Sequence, residues 1–416
     1  MSSAPTEPRP ATDGAIIRAL WVVLLAAIIG LFPFTIYSTF LVPIAETAGT
    51  DEAVAGSLRG LGGVAALAVG MGFAPLLARW SRPHTIATSL GLLAVVSVVG
   101  ATGSLPALIV FCLGIGAATA VLTPALLGAA TSAFTGPGDA GRAATIVTAT
   151  QSLAAVLAAP VIGVMGWRWG WQGALLATAG LAGVVATTTI RVARQSSEGD
   201  RRESNSPSEP PLGYLASFRA LRARPDLLAL ITIAALRTAS FMGYLAFLAV
   251  QYNDTFGIGP EVFTLIWTLS GASFFAGNYL AGRWVRSGSG LRPRVFFVLG
   301  LTGATAAVLV VFTVPWLPLA LAATVVMGFG HAMVAAQVTT SIAHRGGPLT
   351  TTAYSINAAG MSLGVFAGAA FGGLGLAVAG STGLAIALAL PTLIAALLVR
   401  AATAVSSVVA FSESDQ

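Results

Sequence analysis

Two arginines and one histidine interrupt the long apolar runs of this 416-residue sequence: Arg59, Arg237 and His331. A charge inside a membrane costs several kcal/mol, so such residues mark ligand or ion pathways. A buried arginine can hold an anionic or carbonyl group, and a histidine can carry a proton near neutral pH. Arg237 has an alternative role as a clamp on backbone carbonyls, and His331 as a hydrogen-bonded packing residue. Arg59 is predicted to serve an outer gate by pairing with an acid of the adjacent loop, namely Glu46, Asp51 or Glu52.

Aromatic and amide side chains fall in the same runs. Phe241 and Tyr244 follow Arg237 by four and seven residues, which places all three on one helix face and predicts an aromatic wall. The predicted substrate-binding residues, expected to face a central space, are Phe34, Tyr37, Gln151, Arg237, Phe241, Tyr244, His331, Gln337 and Asn357. No Asp or Glu lies deep in a run, which is unexpected for a proton exchanger. A small-molecule substrate is therefore expected, and whether protons are transported with it stays open.

The apolar runs define the fold class. Hydrophobic residues make up 56% of the chain and charged residues 9%, whereas a soluble globular protein carries about 25% charged residues. A helix needs about 20 apolar residues to cross the hydrocarbon core, and its backbone groups must be paired within the segment. Such runs lie near 17–44, 53–78, 84–103, 105–134, 142–166, 172–192, 227–252, 261–282, 294–314, 316–342, 350–376 and 378–400. The sequence predicts an all-α membrane protein with twelve transmembrane helices in two pseudo-symmetric six-helix bundles.

The distribution of arginines predicts the orientation in the membrane. The net charge is +6, and arginine supplies every basic residue other than histidine. Most arginines fall on one side of the predicted spans, while the other side holds Arg168 with acids such as Glu46 and Glu261. The positive-inside rule then places both termini in the cytoplasm, in a multi-pass protein of a bacterial cell membrane. We expect membrane lipids, and not nucleic acid, to be the partners of this basic side.

A polar stretch at 193–225 divides the chain. It is rich in Ser, Pro, Glu and Arg, and such a composition cannot bury enough apolar surface to order itself. We therefore predict an N-terminal six-helix bundle at 1–192, a cytoplasmic linker at 193–225, and a C-terminal six-helix bundle with a short tail at 226–416.

A short basic pattern occurs once in each half. Residues 78–82 read Ala-Arg-Trp-Ser-Arg after the second run, and residues 282–286 read Gly-Arg-Trp-Val-Arg after the eighth. A six-helix unit repeated with the same turn is typical of rocking transporters. The chain resembles the major facilitator superfamily, and within it the twelve-span drug:proton antiporter group. The basic positions of that family's loop after span two coincide with Arg79 and Arg82, while Ala78 replaces its gate-latching aspartate.

The fifth run carries a second part of the resemblance. Residues 155–163, which include Pro160 and Gly163, are similar to the antiporter motif that the family associates with export. Small residues four apart allow two helices to approach closely, and proline bends a helix. In the fourth run, Val110 stands where the family has the arginine that it ties to proton handling, so the usual proton route is not predicted.

Glycines at four-residue spacing mark the eleventh run. Gly360, Gly364, Gly368 and Gly372 share one slowly drifting helix face, and we expect Gly364 and Gly368 to contact the other bundle closely. The predicted gating residues are Arg59, Arg79, Arg82, Pro160, Gly163, Arg283, Arg286, Gly364 and Gly368.

The pattern raises three classes of protein: a membrane enzyme, a channel and a secondary transporter. An enzyme needs a convergent set of His, Asp and Glu, which three scattered histidines do not supply. A channel needs a pore-lining ring of charge. The single cysteine, Cys112, excludes an intrachain disulfide and a cysteine metal cluster, and no cofactor or metal is expected. The sequence favours a monomeric secondary transporter working by alternating access. The fifth run favours efflux of a small amphipathic compound or metabolite, and Arg237 favours the alternative, an uptake permease for a small anionic or polar metabolite.

Overall fold

The computed structural model describes residues 12–72, 80–134, 137–197, 219, 221–286 and 293–403. Every regular element among these residues is helical. The helices are α1 (Asp13–Ala19), α2 (Trp21–Ile29), α3 (Phe32–Thr39), α4 (Leu41–Ala48), α5 (Glu52–Leu58), α6 (Leu61–Gly72), α7 (Arg82–Gly100), α8 (Leu105–Ser132), α9 (Pro137–Ser197), α10 (Pro225–Phe256), α11 (Pro260–Arg286), α12 (Pro293–Thr313), α13 (Leu317–Arg345) and α14 (Thr350–Thr403), with a 3-10 turn at Gly347–Leu349.

The second predicted span is broken in the middle. Helix α5 ends at Leu58 and α6 begins at Leu61, so Arg59 lies in the break. Three glycines at 60, 62 and 63 follow, and each lowers helix propensity by about 1 kcal/mol relative to alanine. The low helix propensity of these glycines is consistent with a break in the helix beside Arg59.

Nine helical stretches among the described residues are long and apolar enough to cross a bilayer. Two of them, Gly138–Gln195 and Gly347–Thr403, are 58 and 57 residues long, well beyond the roughly 20 residues of one span. Each contains two helices, because Gly170 interrupts α9, and Ala379 with Gly380 interrupts α14. Helix α11 adds another 27 helical residues. An all-α membrane fold is confirmed, and the count of twelve spans stays a prediction.

Contacts between helix termini define two ends of the molecule. Arg224, before α10, donates to the carbonyl oxygen of Arg345 at 2.8 Å, and Arg345 donates to that of Ala402 at 2.7 Å. We call this the linker end, because α10 follows the predicted linker. At the opposite end, Gly163 of α9 lies against Thr264 of α11. Residues 73–79, and with them Arg79, lie outside the described residues, as does the Arg286 side chain, whereas Arg82 and Arg283 are exposed.

Each half of the chain packs around its own core. One cluster of buried apolar residues draws on residues 16–185 together with Val250. The other clusters draw on residues 221–402 together with Ala159. Two separate cores are what two bundles that move against each other require. The domain boundaries stay predictions, since α9 continues to Ser197 and most of the predicted linker lies outside the described residues.

The glycine face of α14 packs within its own half, so the contact partner predicted from the sequence is wrong. A methyl group at Gly364 would overlap the carbonyl oxygen of Ala235, and one at Gly368 that of Ala239, both on α10. The four-residue step keeps these glycines on a single helix face, and that face turns towards α10.

A neighbouring face of α14 makes the contact with the first half. A methyl group at Gly63 would lie 2.8 Å from the backbone nitrogen of Phe366, and one at Gly60 would lie 3.0 Å from the methyl group of Ala369. Gly60 and Gly63 therefore form the close contact of α14 with the first half.

Candidate functional site

A cavity of about 780 Å³ lies between the two halves. Its walls come from α2, α3, the α5–α6 segment and α8 on one side, and from α10 and α14 on the other. Glycines and apolar side chains form most of the lining. The polar lining residues are Tyr37, Arg59, Cys112, Thr119, Thr123, Thr238, Ser355 and Ser362. Among the described residues, Arg59 is the one charged group in this wall.

The cavity is open at the linker end and closed at the opposite end. Met71 and Ser355 line it near the linker end and are exposed, whereas Tyr37 and Arg59 line its inner end and are buried. Beyond Arg59 the halves touch, and the hydroxyl of Ser57 donates to the carbonyl oxygen of Ala369 at 3.4 Å. A bound compound would therefore enter and leave at the linker end in this state.

Arg59 connects the two halves at the inner end of the cavity. Its guanidinium carbon lies 3.8 Å from the ring centroid of Phe34, and Nη1 donates to the carbonyl oxygen of Met242 on α10 at 3.3 Å. The predicted pairing with an acid of the adjacent loop is wrong. The loop lies beyond the far end of α5 from Arg59, and Asp51 instead caps that helix by accepting from the backbone nitrogen of Val54 at 2.7 Å.

Phe34 and Tyr37 also stand in the cavity wall, as expected. The Tyr37 hydroxyl donates to the carbonyl oxygen of Ala55 at 2.6 Å, and its ring lies 5.9 Å from that of Phe111 between centroids. This hydrogen bond fixes the tyrosine across the α3–α5 contact. The two residues therefore offer ring surface to a ligand.

Arg237 and its aromatic neighbours lie in the core of the second half, outside the cavity lining. The ring of Phe241 lies 5.1 Å from that of His331 and 6.0 Å from that of Tyr244 between centroids. Arg237 is 4% exposed and donates to the hydroxyl of Thr238 at 3.2 Å. Among the described residues no carboxylate pairs with Arg237, and Thr238 itself lines the cavity.

The three predicted amide residues also lie outside the cavity lining. Gln337 is buried, with its nitrogen 3.5 Å from the hydroxyl of Ser341. Asn357 donates to the sulfur of Met361, a lining residue, at 3.5 Å. Gln151 is partly exposed on α9. Of the predicted set, Phe34 and Tyr37 reach the wall, and the predicted gate residue Arg59 joins them there.

Sequence reasoning missed several wall residues, above all Cys112 and Thr119 on α8. The signal that could have found them is a pair of facing glycines. A methyl group at Gly116 would overlap the carbonyl oxygen of Gly62, so α6 and α8 touch there. Cys112 and Thr119 lie four and three residues from Gly116 on α8, and both line the cavity.

Two packed halves with a cavity that is open at one end and closed at the other have the architecture of a membrane transporter. A sequence model of the Major Facilitator Superfamily matches residues 23–348. The chain belongs to this superfamily, whose members are membrane transporters of small molecules.

Known relatives and structures agree with that class. A chloramphenicol efflux pump of Mycobacterium tuberculosis (strain CDC 1551 / Oshkosh) is 24% identical over 315 residues, which is 71% of each chain. A bacterial homologue of the human lysosomal transporter Spinster, in an inward-facing and unoccupied conformation, has a TM-score of 0.74 at 19% identity, covering 94% of this chain and 98% of its own. The nucleoside transporter NupG has a TM-score of 0.72 at 14% identity, covering 92% of this chain and all of its own.

Proposed function

We propose that this protein exports a small, uncharged amphipathic compound by alternating access. The observation that carries the proposal is the cavity of about 780 Å³, whose wall is mostly apolar and holds one buried cation beside an aromatic ring. Ligand sites of drug-sized compounds fall between about 300 and 1,000 Å³ and combine apolar walls with few polar groups. The relatives named chloramphenicol efflux pumps support the same substrate class, an aromatic compound without net charge.

The arginines support the membrane orientation that the proposed export needs. The described arginines at the linker end include Arg18, Arg82, Arg142, Arg191, Arg194, Arg224, Arg283, Arg294, Arg345 and Arg400. The opposite end holds Arg168 with the acids Glu46, Asp51, Glu52, Asp254 and Glu261. The positive-inside rule places the linker end in the cytoplasm. In this orientation the cavity is open to the cytoplasm, the side from which an exported compound binds.

Reconstituted protein tests this function. Proteoliposomes with an imposed pH gradient are assayed for accumulation of chloramphenicol, a cationic dye and benzoate. We expect faster uptake of chloramphenicol than in protein-free liposomes. Equal permeation of all three compounds with and without protein would contradict the proposal.

A variant that fills the cavity should remove this transport. Ala66 lines the cavity on α6, so Ala66→Phe should lower chloramphenicol transport about tenfold or more, corresponding to at least about 1.4 kcal/mol. Ala68→Phe on the same helix is the matched control, because Ala68 is exposed and outside the lining. Equal rates for the two variants would show that the cavity is not the transport path.

Uptake of a small anion is the second candidate, and Arg237 favours it. A buried guanidinium without a carboxylate partner is costly, and Arg237 is bonded to a wall residue, Thr238. If a different arrangement of the halves exposes Arg237 to substrate, Arg237→Gln should weaken anionic ligands by about 1.5–3 kcal/mol and leave neutral ligands unchanged. Comparing benzoate with chloramphenicol in counterflow assays measures this difference. An equal loss of counterflow for benzoate and chloramphenicol would show that Arg237 has a structural role.

A further inference from the structure

We propose that Arg59 is a binding subsite for a hydrogen-bond acceptor of the substrate, a carbonyl or nitro oxygen, and that occupying it releases the closed end. The inference rests on the proposed export of an amphipathic compound. It adds which group of that compound the protein recognises, and how recognition is coupled to opening.

The donors of Arg59 are buried and largely unused. The side chain is 5% exposed and lines the inner end of the cavity. Nη1 reaches the carbonyl oxygen of Met242 at 3.3 Å, while Nε and Nη2 have no hydrogen-bond partner among the described residues. An arginine presents five N–H groups in a rigid planar fork that suits an oxygen acceptor. The wall therefore holds donors that a substrate oxygen can reach.

The guanidinium of Arg59 has an aromatic neighbour and, among the described residues, no carboxylate partner. The ring of Phe34, 3.8 Å from the guanidinium carbon, supplies a stabilising cation–π contact. No carboxylate stands in the described lining. An acceptor on a ligand would thus meet a charge-assisted donor without having to displace an acid. An aromatic ring on the same ligand would find the faces of Phe34 and Tyr37 beside it.

The bond from Arg59 to Met242 is a contact that crosses between the halves. At 3.3 Å it is longer than the usual N–H···O distance of about 2.9–3.0 Å. The Met242 carbonyl also accepts within the uninterrupted helix α10, so it stays paired when Arg59 leaves. A substrate oxygen that accepts from the unused donors of Arg59 together with Nη1 can therefore draw the guanidinium away from Met242 at low cost, and the closed end loses one of its ties.

Binding measurements test the subsite. The probes are chloramphenicol and its analogue with hydrogen in place of the nitro group, titrated onto purified protein in nanodiscs. Arg59→Gln should weaken chloramphenicol binding by about 10- to 150-fold, since a charge-assisted hydrogen bond contributes about 1.5–3 kcal/mol. If the nitro group is the acceptor, the same substitution should weaken binding of the analogue by a smaller factor. Arg59→Lys, which keeps the charge, should recover part of the loss. Unchanged binding in Arg59→Gln, or an equal loss for Arg59→Lys, would overturn the subsite.

Labelling at the closed end tests the coupling. Ala369 is 1% exposed and lies between the halves, so a thiol placed there by Ala369→Cys, in a Cys112→Ser background, reports opening through its rate of maleimide modification. Chloramphenicol should raise that rate severalfold with Arg59 present and leave it unchanged in Arg59→Gln. A ligand-driven rise of the same size in Arg59→Gln would refute the release.

These results separate the two proposals. If protein with Arg59 neither binds nor transports chloramphenicol, the proposed function fails. If it transports the compound and Arg59→Gln binds it equally well, the function stands and the Arg59 subsite fails.

Discussion

A disulfide between Gly163→Cys and Thr264→Cys is expected to abolish transport, and its reduction to restore it. A β-carbon built on Gly163 of α9 would lie 3.2 Å from that of Thr264 on α11. Disulfides need β-carbons about 3.5–4.5 Å apart, so a shift of a few tenths of an ångström suffices. The two helices belong to different halves, and alternating access requires them to separate at this end. A covalent bond here holds the protein open at the linker end only.

The measurement compares oxidised and reduced protein in the same proteoliposomes. Cys112→Ser serves as the background, and its own transport rate is the reference. Each single cysteine variant is the matched control, because it carries the substitution without the possibility of the bond. Oxidised double-cysteine protein that transports at the reduced rate, with the disulfide verified by mass spectrometry, would show that this end does not open during transport.

Gly368→Leu is expected to prevent folding. Any β-carbon at Gly368 would overlap the carbonyl oxygen of Ala239 on α10, and a backbone segment inside a helix cannot move aside alone. The smaller change Gly368→Ala should still lower the free energy of unfolding by about 1–3 kcal/mol, the usual cost of overpacking. Thermal unfolding in detergent, followed by size-exclusion monodispersity, measures the loss.

Gly360→Ala is the matched control on the same helix. A β-carbon there meets Ala235 and Ile231 at 3.6 Å, an ordinary contact distance. Since alanine is favoured over glycine inside a helix by about 1 kcal/mol, Gly360→Ala should leave stability unchanged or raise it. Opposite signs at positions 360 and 368 would confirm the close approach to α10. Equal small effects would contradict it.

A local rule about small residues predicted one helix contact at a proposed gate residue, Gly163, whose gating role stays a prediction. Small residues around Gly163 predicted a close helix approach, and the structure places Gly163 against Thr264 across the two halves. The same rule identified Gly364 and Gly368 as close-packing residues, but the partner predicted for them, the other bundle, was wrong, because both pack against α10 of their own half. Spacing along one helix shows which residues share a face, and a helix of one half is flanked by helices of both halves.

The sequence alone determined that this chain is an all-helical membrane protein of a transporter family. Those conclusions depend on run length, composition and repeated patterns, which are local properties of the chain. It also identified the buried arginines, since any charge within a run is conspicuous. The sequence did not show which groups each arginine contacts. Both Arg59 and Arg237 satisfied the same rule, and sequence reasoning favoured Arg237 as the ligand-binding cation.

Only the tertiary structure placed the two arginines relative to the cavity. The rotation of each helix about its axis, and the tilt of one half against the other, place Arg59 at the inner end of the cavity and Arg237 in the core of the second half. Neither angle is set by helical periodicity. Both follow from how glycines and large side chains on several helices fit together at once, as at Gly62 with Gly116 and Gly368 with Ala239.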